Sequence, residues 1–206
     1  MNQERLKQAE TAFFKRYPGG FFDPELQAIA KKHRMEQMVA MAHEYFAPEC
    51  FADSETIVEQ MTKMVSRSSL VSLFEKPRFR DYVKALDSAG KERLALSLKA
   101  QLHGDAERGF NDLVDQLAEV KLAKWPLVTL IPNYYRPDEE VFVKPTTVKG
   151  VIVYFGLEGL DYNPKPSWDF YKGYRTEIQK MKAAIDPALM PSNAAFCGFL
   201  MMSLPK

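Results

Sequence analysis

Cysteine is scarce in this chain. There are two in 206 residues, Cys50 and Cys197, far apart and each among apolar neighbours. Two such thiols build no disulfide framework, and a buried cysteine behaves as a small hydrophobe. They read as free thiols in a reducing compartment, so a cytoplasmic protein is expected. Histidine is equally sparse: His33, His43 and His103 are the full set. There is no C-x-x-C, no H-E-x-x-H and no acidic cation loop, so no metal site is expected. Glycine-rich nucleotide loops and the G-x-S-x-G turn are missing too. No catalytic residue and no cofactor is therefore expected.

An excess of one charge is also missing. The net charge is +1. Residues 1–120 carry 17 Lys+Arg against 19 Asp+Glu, and residues 121–206 carry 11 against 8. Neither half has the basic surplus of a dedicated nucleic-acid binder. The longest apolar run, 194–202, falls well short of the ~20 residues a spanning helix needs. No apolar leader follows Met1. No membrane partner is expected.

What the chain does have is core material. Apolar residues make up 46% and charged residues 27%, an ordinary globular balance. The length suits one compact unit over 1–206, divisible into a helical part, 1–121, and an α+β part, 122–206.

Periodicity predicts helices first. Leu6, Ala9, Phe13 and Tyr17 share a helical face, and Pro18-Gly19-Gly20 ends the pattern. Asp23 and Pro24 suit the start of a second helix reaching Phe46. Its apolar face drifts, from Leu26, Ile29, Ala30, His33 and Met41 to Met38, Val39, Ala42, Tyr45 and Phe46. Either it bends near Lys31–Glu36 or it is buried on two sides; the second is preferred, with His33 a core histidine. Further helices follow Asp53 (stripe Ile57, Val58, Met61, Met64, Val65), Pro77, residue 91 and Asp105 (stripe Phe110, Leu113, Val114, Leu117, Val120). The texture changes at Lys124-Trp125-Pro126. Leu127–Ile131 and Glu140–Lys144 read as two strands of an antiparallel hairpin. Helices over 148–157 and from Ser167 to Ile185 come next. The segment 194–202 is a buried strand or a buried helix. The expected fold is α+β and predominantly helical.

One segment stands out as a candidate for chemistry. Acids before a lysine in Pro137–Lys144 resemble a Mg²⁺-dependent nuclease core. That core needs an acid two residues before the lysine, on the same side of the strand; Phe142 stands there, and the nuclease reading falls. The stretch Phe142–Lys149 runs from expected strand to helix start. Free N–H groups in a first helical turn suit an anion. Thr146 and Thr147 add hydroxyls, and Lys144 and Lys149 add charge. A second set, Tyr134, Tyr135 and Arg136 with Trp168, Tyr171, Lys172, Tyr174 and Arg175, mixes rings with cations as single-strand binders do, although Tyr171 and Tyr174 fall on an apolar stripe. The ligand-binding candidates are Lys144, Thr146, Thr147, Lys149, Arg136 and Trp168.

Two blocks, Phe142-x-Lys144-Pro145-Thr146 and Tyr162-x-Pro164-x-Pro166-x-Trp168-x-x-Tyr171, resemble an uncharacterised family of bacterial proteins with F-x-K-P-T and Y-x-P-x-P-x-W-x-x-Y motifs. The resemblance covers about residues 125–185. It implies that Lys144, Pro145, Thr146 and Trp168 matter to structure or function, and it brings no catalytic residues. Two readings remain. One is a non-enzymatic, cytoplasmic binding or protein-interaction module, with a protein partner or a second copy of itself. The other is a protein for a phosphate-bearing ligand, nucleotide or nucleic acid, held at Lys144–Lys149.

Overall fold

The computed structural model describes residues 1–205. Eleven α-helices lie among them: α1 Gln3–Arg16, α2 Pro24–His33, α3 Met35–Tyr45, α4 Ser54–Arg67, α5 Glu75–Ala85, α6 Ser88–His103, α7 Ala106–Glu119, α8 Trp125–Tyr135, α9 Pro145–Phe155, α10 Trp168–Lys182 and α11 Asn193–Met202. No strand occurs among the described residues. The fold is helical, and the expected α+β class with its antiparallel hairpin is wrong.

The first hairpin strand is helix α8. Leu127, Val128, Leu130 and Ile131 are all buried, so the run has no solvent face from which to read a period. Burial on every side overrides the β-preference of Val, Thr and Ile. Pro126 sits in the first turn, where its missing N–H costs nothing. Pro132 lies inside the helix and deprives Val128 of its intrahelical donor. Gln101 of α6 takes that place, its Nε2 donating to the Val128 carbonyl at 3.3 Å.

The second hairpin strand, 140–144, is an irregular segment without a strand partner, buried from Glu140 to Val143. Val141 and Val143 are fully covered. Their N–H groups donate to side chains: Val141 to the Tyr171 hydroxyl at 3.3 Å and Val143 to Thr129 Oγ1 at 3.1 Å. Thr129 in turn donates to the Trp125 carbonyl at 2.8 Å. Buried backbone donors need partners, and α8 and α10 supply them where a hairpin would have.

The long second helix breaks into α2 and α3. Arg34 adopts φ 52°, ψ 36°, a left-handed conformation unusual for arginine. The break lets α3 turn Met38, Met41 and Ala42 inward, while α2 buries Leu26 alone. His33 is therefore exposed, not a core residue; its Nδ1 lies 2.8 Å from Ser69 Oγ. The segment 194–202 resolves as helix, α11.

α6 and α7 form a close antiparallel pair. Gly109 permits it: a Cβ there would stand 2.2 Å from the Gln101 nitrogen and 2.6 Å from the Ser97 carbonyl oxygen. Side chains from α1 through α11 contribute to one apolar cluster, with Trp125, Tyr134, Tyr171 and Tyr174 among its largest fully buried members.

Candidate functional site

The candidate residues fall into two settings. Lys144 precedes α9 as its N-cap and makes no side-chain cap; Pro145 opens the helix. Lys144 and Thr146 are exposed, whereas Thr147 is buried. Lys149 points elsewhere, its Nζ 5.0 Å from the Tyr162 ring centroid. The first turn of α9 thus has no side-chain cap, with one lysine beside it and the other resting on an aromatic face.

Arg136 and Trp168 belong to a different arrangement, centred on a residue the sequence did not single out as a ligand-holding group. Glu140 is only 5% exposed. Arg175 Nη1 reaches both its carboxylate oxygens, at 2.8 and 2.9 Å, and Arg136 Nη1 stands 3.7 Å from Oε1. The Tyr171 hydroxyl donates to Oε2 at 2.5 Å. A buried carboxylate survives only with such partners. Arg175 also lies over the Trp168 ring at 5.7 Å and the Tyr171 ring at 5.5 Å, and Trp168 packs edge-on against Phe110. Arg136 additionally donates to the Leu102 carbonyl, at the end of α6.

The network serves to fasten. α10 presents Trp168, Tyr171, Arg175 and Gln179 at helical spacing, and Gln179 Nε2 donates to the Asp138 carbonyl at 3.1 Å. Asn193, at the start of α11, donates through Nδ2 to the Glu140 carbonyl at 3.0 Å and through its backbone to Pro137 at 2.8 Å. Lys182 completes the chain with a 2.6 Å bond to Asn193 Oδ1. Burial, with the Glu140 carboxylate next to it, pushes Tyr171 well above the usual phenol range. Tyr171 thus stays a neutral donor. The structure brings Arg136 and Trp168 together through Arg175 and Glu140; it records no contact from Lys144 to either. Arg136 and Arg175 are matched by Glu139 and Glu140 and do not form an open basic platform. The spacing Arg136–Glu140, four apart, and Tyr171–Arg175, four apart, was the available signal. The join between the two pairs was not.

A second feature lies on the opposite kind of surface. Leu73 and Phe74, at the turn into α5, are 80% and 85% exposed. Such a pair is unusual when side by side on a surface. The bond from His33 to Ser69 ties the end of α2 to the stretch that precedes this turn. That end carries Lys31, Lys32 and Arg34, all exposed, and Ile29, 41% exposed. Lys76 and Arg78 follow in α5. None of these five cations has a carboxylate partner among the described residues. Within Leu70–Phe74, Val71 is covered while Leu73 and Phe74 are bare.

No helix among the described residues is long and apolar enough to cross a membrane. No protein-family model, curated protein or solved structure matches the chain.

Proposed function

We propose that this is a non-enzymatic, cytoplasmic protein-interaction module that docks a partner on the surface formed by Leu73, Phe74 and α2. The exposure of Leu73 and Phe74 carries the reading. Two large apolar side chains in water are unfavourable by roughly 1.5–3 kcal/mol each relative to burial, and a partner that covers them recovers that free energy. Lys76 and Arg78, which follow Phe74 in α5 without a carboxylate partner among the described residues, suit a partner whose apolar docking segment is flanked by Asp or Glu.

A photo-crosslinking residue in place of Phe74 tests this. The expected result is one discrete adduct, whose purified partner binds the chain and loses at least ~10-fold in affinity against Leu73→Ser/Phe74→Ser. An adduct of twice the chain mass, with concentration-dependent sedimentation, assigns the surface to a second copy. Affinity indifferent to the double substitution contradicts the proposal.

The phosphate-ligand reading has one observation in its favour, the first turn of α9 with no side-chain cap beside Lys144. Lys144→Ala/Lys149→Ala separates the two readings. It abolishes retention of a nucleotide or oligonucleotide under the second and leaves partner binding intact under the first.

A further inference from the structure

A cleft of about 330 Å³ opens between α1, α9 and α11, within the ~300–1,000 Å³ of small-molecule sites. One wall is apolar: Ala9, Ala12 and Phe13 of α1 face Met202 of α11. The other features are polar. Tyr17 is 4% exposed and lines the cleft; its hydroxyl has no protein partner among the described residues and is reached by solvent. Tyr154 lines the cleft from α9. It is held by Arg5, which donates to its carbonyl at 2.7 Å and lies 5.4 Å from its ring centroid. Arg16 lines the cleft too, stacked on Tyr17 with its guanidinium 5.0 Å from the ring centroid. No carboxylate among the described residues pairs with Arg16.

An apolar wall, a stacked guanidinium without a counter-ion and an unused phenol define a ligand chemistry. Stacking on Tyr17 orients the planar fork of Arg16, so its donors suit a carboxylate. The Tyr17 hydroxyl can donate to the same anion. Ala12 and Ala9 keep the wall low enough for an apolar body to lie along α1. We propose that this cleft binds a small organic acid: one carboxylate at Arg16 and Tyr17, and an aliphatic or aromatic body against Ala9, Ala12, Phe13 and Met202. The proposal is independent of the Leu73–Phe74 surface.

Three probes of matched shape test it: 4-phenylbutyrate, 4-phenylbutanol and 4-phenylbutylamine, titrated into protein with ¹³C-labelled methionine methyls. The Met202 signal reports the cleft. The expected result is a saturable shift for 4-phenylbutyrate with a Kd of about 1 mM or tighter, in keeping with its twelve heavy atoms. The alcohol and the amine should bind at least ~10-fold more weakly. Arg16→Gln should erase the preference for the acid, and Ala12→Leu, which fills the wall, should remove binding of all three. A Met202 signal unmoved by the acid, an acid affinity unchanged in Arg16→Gln, or an equal shift with inorganic phosphate alone overturns the proposal.

Discussion

Glu140 and Phe74 each sit where their chemistry argues against it, a carboxylate 5% exposed and a phenyl ring 85% exposed. The carboxylate is inside because Arg175, Arg136 and Tyr171 replace the water it gives up. The phenyl ring is outside with nothing described over it. Around Glu140, α8, α10, α11 and the 137–144 segment are tied by buried hydrogen bonds. Around Phe74, α2 buries one residue and the helix turn presents bare apolar groups. The first region shows how this chain stabilises an irregular segment: side chains stand in for a missing strand. The second shows a surface that the fold itself does not use.

Alkali should strain this contrast most, because it acts on several buried groups of the tied region together. Desolvation pushes the half-buried Cys197 thiol up to about 12, and burial raises Tyr171 and Tyr174 well above the usual phenol value. Groups whose folded pKa is raised stabilise the fold fully below their unfolded pKa and lose that contribution as pH rises toward the folded one. Stability should therefore be flat to pH ~9 and fall between ~9 and ~12. A pH titration followed by far-UV circular dichroism shows it, and Cys197→Ala should soften the early part of the fall. A flat response through pH 11 would contradict the burial described for α10 and α11.

Next in size is Glu140→Ala, which leaves Arg175 without its buried partner. A loss of about 3–5 kcal/mol is expected, measured by urea unfolding. Tyr171→Phe, which removes a donor and keeps the ring, should cost less, about 1–3 kcal/mol. Equal small effects from both would mean that the carboxylate is solvated. Gly109→Ala should cost about 1–3 kcal/mol, since the new methyl meets backbone atoms of α6 and not a movable side chain. An unchanged unfolding midpoint there would show α6 and α7 to be further apart.

The legible parts of this fold were those with one wet and one dry face. The stripes of α1, α4 and α7 follow from spacing because water covers the other side of each, except that Val120, just past α7, is 40% exposed. α8 was not legible, since Leu127–Ile131 is covered all round and Pro132 is tolerated only because Gln101 lies across from it. No local pattern encodes that partner, 27 residues away in sequence. The Arg34 break lay within reach of the drifting apolar face, which admitted a bend, but burial on two sides was the wrong preference. The candidate residues were legible as types and not as a group. Arg136 and Trp168 meet through Glu140 and Arg175, a junction 35 residues long in sequence, while Thr147 turns inward and Lys149 rests on Tyr162. Leu73 and Phe74 stood in plain view as apolar letters. Only the fold shows that Val71 is the one of the three that is covered.

The proposed docking role requires that Leu73 and Phe74 contribute nothing to the fold. The unfolding free energy of Leu73→Ser/Phe74→Ser, beside that of the unsubstituted chain, tests it without knowledge of the partner. The account predicts a difference within about 0.5 kcal/mol, as for other exposed sites. A loss of about 2 kcal/mol or more would place both side chains in the core and remove the docking surface.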